Sequence, residues 1–304
     1  MEDVKKEREK MVWEIVLTIA AVLAVFLIWI MIYDTTHFET TVYKISDERI
    51  RGPFRVAVLA DLHNQQYGRD NRILLEAVKD GKPDVILIAG DILTARPGAS
   101  LEPALHFVEA LAKDFPVCYG VGNHEHRLRL YPEEYGDMAK RYESGLAGFG
   151  VEEMINTRRN FEELGISVVG SQIGKEYYKR FQKIKMENSY LEQLLGKPER
   201  DKYTILLAHN PDYFPQYASW GADLVLAGHV HGGVARIPFW KKGVVSPKFR
   251  LFPEYDGGEF LEGKSRMILS RGLGSHTIPF RLFNPGDLIF IDFSSGQEEG
   301  KGSN

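Results

Sequence analysis

The stretch RVAVLADLHN, residues 55–64, decides the fold. Its first half is an apolar, β-branched run of strand length, and the chain then turns polar within one residue, at Asp61-Leu62-His63-Asn64. A buried strand that ends in a carboxylate and an imidazole is expected where the carboxyl end of a sheet opens onto a site. The same figure recurs downstream. Residues 84–89 (DVILIA) run into Gly90-Asp91, and residues 117–121 (VCYGV) into Gly122-Asn123-His124-Glu125. Residues 203–208 (YTILLA) end in His209-Asn210, and residues 223–227 (DLVLA) in Gly228-His229-Val230-His231-Gly232-Gly233. Further strands are predicted at 166–169, 267–270 and 288–293. Helical periodicity lies between them at 71–79, where Ile73, Leu74, Ala77 and Val78 share a face, and at 101–113. Strands alternating with helical crossovers predict an α/β layered fold. The closer spacing of the late strands adds mixed or antiparallel pairing.

Five polar clusters on five strand ends converge on one rim. Their donors are two carboxylates, an asparagine amide and several imidazoles. Such a nitrogen and oxygen set suits Mn²⁺, Fe or Zn²⁺, whereas Ca²⁺ takes oxygen alone and soft metals take thiolate. In Asp-x-His and His-x-His, alternate side chains of an extended segment fall on one face, so both members can reach the same centre. A lone Asp-Leu-His or Gly-Asp would be weak evidence, since Gly-Asp also marks turns. All five in order, each after a strand, form a site. His37, His106, His126 and His276 lack this context and read as structural or surface groups.

The rest of the chain bounds the class. Of 304 residues 44% are hydrophobic and 26% charged, as in a globular protein with room for one large domain. A net charge of −4 gives no basic footprint for nucleic acid, so none is expected as a partner. The single cysteine, Cys118, excludes an internal disulfide framework, and its strand position reads as a buried structural thiol. Residues 15–33 (IVLTIAAVLAVFLIWIMIY) carry no charge over 19 positions. As a helix they would extend about 28 Å, close to the hydrocarbon thickness of a bilayer. Trp13, Trp29 and Tyr33 stand near the ends of the run, where aromatic rings favour the interface. No small-x-small cleavage pattern follows it, so an uncleaved signal anchor fits better than a signal peptide. Lys5, Lys6, Arg8 and Lys10 precede the run and only Lys44 and Arg49 follow closely. That bias predicts a single-pass cell-membrane protein with a cytoplasmic amino end and an extracytoplasmic body.

With these motifs in view, residues 54–293 resemble the calcineurin-like metallophosphoesterases. The sequence is most similar to their membrane-associated YkuE/YaeI-like subgroup, through Gly-His-Val-His-Gly-Gly at 228–233 and Ser-Arg-Gly-Leu-Gly at 270–274. Glu125 stands where many relatives have Asp. The resemblance implies a layered β-sandwich of mixed sheets flanked by helices, and two divalent metal ions, manganese first with iron or zinc as alternatives. It implies that Asp61, His63 and His231 hold one metal, that Asn123, His209 and His229 hold the other, and that Asp91 bridges them. His124 would face the scissile phosphate, stabilising the transition state or protonating the leaving oxygen. Asn64 would touch substrate or cap a turn. Arg271 would bind a second phosphate or a carboxylate, or form a structural ion pair.

The expected organisation is a charged tail at 1–10, the anchor at 11–33, a linker and lead-in at 34–53, the catalytic domain at 54–293 and a polar tail at 294–304. Within the domain, 126–202 is expected to form a cap, with helical stretches at 133–141 and 161–164. Its basic-aromatic segment 175–185 reads either as a solvated face or as a contact for anionic head groups, and the apolar 237–240 either touches lipid or closes the domain. The expected function is metal-dependent hydrolysis of a phosphodiester or pyrophosphate, with the tether favouring a lipid-linked ester as substrate. The alternatives are a phosphomonoesterase acting on a soluble ester or phosphoprotein, and a catalytically silent metal-binding scaffold.

Overall fold

The computed structural model describes residues 2–179, 182–240, 242–246, 251–275 and 280–296. Two sheets face each other. The first has five strands: β1 (Phe38–Asp47), β2 (Phe54–Leu59), β3 (Val85–Ala89), β4 (Val117–Gly120) and β13 (Gly286–Ser295), in the order β1–β13–β2–β3–β4. The second has six: β5 (Arg158–Phe161), β6 (Ile166–Ser171), β7 (Tyr203–Ala208), β8 (Leu224–Ala227), β11 (Gly258–Glu262) and β12 (Ser265–Leu269), in the order β11–β12–β8–β7–β6–β5. A short ribbon of β9 (Arg236–Ile237) and β10 (Lys242–Gly243) stands apart. Pairing is parallel through β2–β3–β4 and β6–β7–β8–β12, and antiparallel where β13 meets β2, β5 meets β6 and β11 meets β12.

The period-2 pattern of the strands builds the layers. In β2, Val56 and Val58 face the other sheet, where they join Leu87, Cys118, Ile205, Leu207, Leu224 and Ile289 in the sandwich interior. Ala57 and Leu59 point the opposite way, with Ile86, Ile88 and Tyr119. That outer face is covered by α2 (Arg72–Asp80), α3 (Glu102–Ala112) and α6 (Met138–Gly148), through Leu74, Val78, Phe107, Val108, Leu111, Tyr142 and Leu146. The outer face of the second sheet packs on α7 (Tyr190–Leu195) and α8 (Phe214–Trp220). The result is the expected layered sandwich of mixed sheets between helices. Cys118 is buried in β4, where burial pushes its thiol up to about 11.

Several expectations are corrected. Residues 34–53 are more than a linker, because they contain β1, paired in parallel with β13 over ten positions from Phe38↔Gly286 to Asp47↔Ser295. As an edge strand β1 is mostly half-buried or exposed, so its threonines and charges mask the strand signal. Residues 126–202, expected as a cap, also build the main layers: β5 and β6 belong to the second sheet and α6 to the outer helical layer. The helix expected at 161–164 is the end of β5 followed by a 3₁₀ turn, Glu162–Leu164. The helix expected at 133–141 breaks into α5 (Pro132–Tyr135) and α6 at Gly136, whose φ of 60° ends the first piece. Arg180 and Phe181 of the basic-aromatic segment, Lys241, His276 and residues 297–304 of the polar tail lie outside the described residues.

The apolar run is the middle of α1 (Glu2–Thr36). Its best 18-residue window has a mean hydropathy of 3.1, and along its length only Ile30 and Asp34 are buried. Its last turn is tied into the body. Asp34 Oδ2 accepts from Asn284 N at 2.9 Å, and Thr35 Oγ1 accepts from Arg281 N at 3.1 Å.

Candidate metal centre

The parallel runs bring the ends of β2, β3 and β4 beside those of β7 and β8, and backbone hydrogen bonds join four of the five motifs in pairs. Asp61 N donates to Gly90 O, His63 N to Asp91 O, and Gly228 N to His209 O. Asp61, His63, Asn64, Asp91, His229 and His231 all have φ between 49° and 74°. That region costs an L-residue about 1–2 kcal/mol and is occupied where the site demands it. Each carboxylate also accepts from the backbone of a neighbouring motif: Asp61 from His229 N at 2.9 and 3.1 Å, Asp91 Oδ1 from His124 N at 2.8 Å.

Two ligand groups emerge, and a third set, His63, Asp91 and His124, overlaps both. Around Asp61 Oδ1, His63 Nε2 lies at 3.8 Å and His231 Nε2 at 3.6 Å, with 3.3 Å between the two nitrogens. Metal bonds of about 2.1 Å place neighbouring ligand atoms about 3.0–3.4 Å apart, close to this spacing. The second group is Asp91, His209 and His229, with His209 Nε2 at 3.0 Å from Asp91 Oδ2. Asp91 Oδ2 is also 3.7 Å from His63 Nε2, so it stands between the two groups. Asn123, at the start of α4 (Asn123–Leu130), has a buried Oδ1 with no hydrogen-bond donor among the described residues. An orphaned carbonyl oxygen among imidazoles fits a cation.

The tautomers sort the histidines into two kinds. His63 Nδ1 faces Leu93 O at 3.3 Å, His209 Nδ1 faces Ala89 O at 2.7 Å, and His231 Nδ1 faces Gly274 O at 3.0 Å. A carbonyl can only accept, so each ring carries a proton on Nδ1 and turns Nε2 into the centre, where a metal ion takes the place of any second proton, the arrangement of a metal-binding imidazole. His124 is reversed: its Nδ1 accepts from Ala95 N at 2.8 Å, which leaves the proton on Nε2, 4.0 Å from Asp91 Oδ2. That ring offers a donor where the others offer lone pairs.

The electrostatics favour a divalent cation. Burial pushes Asp61 up to about 7, with His209 opposing and Asp91 reinforcing the shift. Asp91 stays well below the usual carboxylate range, because His209, His124 and His63 outweigh its burial. Burial would lower His209, but Asp91 and Asp61 raise it to about 9. A field that holds a proton on a buried imidazole also attracts a metal ion. His124 is pushed down, mainly by burial, and stays neutral.

Glu125 and residues outside the motifs complete the centre. Glu125 receives Asp91 N, Ile92 N and Gly122 N at 2.9–3.0 Å and Tyr119 Oη at 3.0 Å, fastening the Asp91 loop to α4. Asn284 Nδ2 donates to His231 O and Gly233 O at 2.8 and 2.5 Å. Arg281 is buried and donates to Gly272 O and Gly274 O behind Asp61. Tyr178 stands edge-on to His229, with centroids 5.3 Å apart. Glu125 belongs to the third strand-end motif, but Asn284, Arg281 and Tyr178 lie outside the five motifs, and no strand-end pattern marks them. Arg271 meets Asp287 and Glu39 at 3.2 Å each. Asn64 Nδ2 reaches Ser100 O at 3.4 Å. Away from the centre, His106 pairs with Glu102 on α3, and His37 stacks on Tyr33.

The sequence profile described as "Calcineurin-like phosphoesterase" matches residues 54–233, more than half of the chain. The uncharacterized metallophosphoesterase YkuE of Bacillus subtilis (strain 168) is 25% identical over 266 residues, covering 84% of this chain and 86% of that protein. An uncharacterized metallophosphoesterase of Aquifex aeolicus (strain VF5) is 27% identical over 264 residues, covering 85% and 92%. The phosphodiesterase YaeI of Escherichia coli (strain K12) is 25% identical over 232 residues, covering 73% and 76%. The chain belongs to the calcineurin-like phosphoesterase family and is a metal-dependent phosphoric ester hydrolase.

Proposed function

We propose that this protein is a membrane-anchored, binuclear phosphodiesterase that cleaves a phosphodiester or pyrophosphate bond, with a lipid-linked ester as its substrate class. The observation that carries the reading is that three rings set Nδ1 against a backbone carbonyl and turn Nε2 inward, whereas His124 sets Nδ1 against a backbone N–H. Asp61, His63 and His231 would hold one cation and Asn123, His209 and His229 the other, with Asp91 shared between the two groups. Divalent cations held there would supply Lewis-acid activation of water near neutral pH and charge neutralisation at the phosphoryl oxygens. His124 donates its Nε2 proton as a hydrogen bond to an oxygen of the phosphoryl group. Because its Nδ1 is occupied as an acceptor, full proton transfer would leave an imidazolate, so the ring acts as a fixed donor to developing charge. Tyr178 covers the His229 side, and burial pushes its phenol well above the usual range, keeping it neutral beside substrate.

The anchor and the lipid link rest on α1, whose apolar length faces outward while its last turn is bonded to the loop that supports His231. The test is hydrolysis by the full chain in detergent, metal-stripped and then supplied with Mn²⁺, Zn²⁺ or Mg²⁺. Bis-p-nitrophenyl phosphate is compared with p-nitrophenyl phosphate, beside Asp91→Asn. Metal-restored diester cleavage, absent in Asp91→Asn, is expected. His124→Ala should lower kcat about 10²–10³-fold, the scale of one lost charge-stabilising donor. Preference for the monoester would replace this reading with a phosphomonoesterase. Bound metal without turnover would replace it with a scaffold.

A further inference from the structure

Three loops are joined to one another by backbone hydrogen bonds, the third of them bonded to the last turn of α1, and each carries exposed apolar side chains. The first holds Phe239 and Trp240, at the turn between β9 and β10; Phe239 is fully exposed and Trp240 80% exposed. The second holds Leu251 and Phe252, bonded to the first by Phe252 N donating to Val244 O. The third carries Phe280, next to Arg281. Backbone hydrogen bonds make the group continuous: Arg236 N donates to Leu282 O and Leu282 N to Val234 O, while Arg281 N donates to Thr35 Oγ1. Phe239 and Phe252 also have φ of 72° and 47°. The left-handed region is costly for a bulky residue, and here it holds large aromatic side chains in solvent.

The geometry of α1 says what covers them. The uncharged run ends at Tyr33, and Ile30, one turn earlier, is buried against the body. At 1.5 Å per residue Ile30 lies about 5 Å inside that end, so the surface that buries it reaches the depth of the bilayer interface. Water-facing Phe and Trp on loops tied to the end of such a helix are unfavourable, whereas the same rings in the head-group zone are at home. We infer that Phe239, Trp240, Leu251, Phe252 and Phe280 form a second membrane contact, seated in the interface of the bilayer that α1 crosses. The contact rests on the anchoring reading above and deepens it. The metal loop 228–233 leads directly into β9, so the centre is held close to the lipid surface and takes a substrate whose phosphate lies in the head-group layer.

The experiment uses the full chain in nanodiscs with one added cysteine, Phe239→Cys or Leu251→Cys, labelled with an environment-sensitive fluorophore. Cys118 is buried and stays unlabelled in the native protein. Val22→Cys, on the exposed surface of α1, is the bilayer control. The expected result is blue-shifted emission at 239 and 251, quenched when the nanodisc lipids are brominated. Aqueous emission at both loop positions with a lipid-shielded position 22 would overturn the second contact and leave the anchor standing. Aqueous emission at position 22 as well would remove the anchoring itself, and this contact with it. Shielded loop probes that brominated lipid does not quench would mean a protein partner covers the patch, and would also overturn the inference.

Discussion

Glu125→Gln tests how the Asp91 loop is held. The substitution keeps the shape of the side chain and replaces one carboxylate oxygen by an NH₂ group. Oε2 accepts from Asp91 N and Gly122 N, so an amide nitrogen there would leave two buried backbone donors unpaired. At the Oε1 end it faces Ile92 N and Tyr119 Oη. Tyr119 can adapt, because its hydroxyl is 2.8 Å from that of Tyr142 and can donate there while accepting from the new amide. The amide therefore settles at the Oε1 end, and one orphan remains, Ile92 N. A buried unpaired N–H costs about 1–3 kcal/mol, and the two remaining backbone bonds lose about 1 kcal/mol each with the charge. The sum, about 3–5 kcal/mol, lowers the melting temperature of a domain this size on the order of 10 °C. Melting is followed by circular dichroism on metal-stripped protein, so that bound metal does not mask the loss. Tyr119→Phe should cost more in the Gln background than alone, because there it removes the acceptor that the amide needs. An unchanged melting temperature, or strict additivity of the two substitutions, would refute this account of Glu125. Burial and the nearby Asp91 push that carboxyl up to about 7, but four donors aimed at it favour the ionised form.

Two further outcomes follow from contacts remote from the membrane question. Gly122→Ala places a methyl group onto the Asp91 carboxylate and against Asp91 N, and should weaken metal binding by about 10–100-fold or more, read as loss of the metal-induced rise in melting temperature. Glu199 is lowered from 4.5 to about 2, first by Lys202 and then by Arg158, so its stabilisation is complete above pH 4.5 and lost as the pH falls towards 2. The melting-temperature gap between the native protein and Glu199→Gln should be widest near neutrality and close progressively below pH 4.5. A gap that does not change with pH would remove the ion pairs from the account.

The sequence alone determined the layered α/β class and the place of the metal centre, because both are written in short-range pattern. β2, β3, β4, β7 and β8 are buried on both faces and read as predominantly apolar runs, and each gives way to a polar motif within one or two residues. The long uncharged run of α1 is equally local. What depends on distant partners was decided only by the tertiary structure. β1 exists because β13, some 250 residues away, offers it an edge, so its own residues need not look like a buried strand. The segment 126–202 is part of both layers for the same reason, through pairing with β7 and packing on α3. The chemical identity of each histidine belongs to this second kind. His63, His124, His209 and His231 are alike in sequence; whether a ring points a lone pair or a proton inward depends on whether its Nδ1 meets a carbonyl, as at Leu93, Ala89 and Gly274, or an amide, as at Ala95. Those backbone groups come into place only when the chain has folded around them.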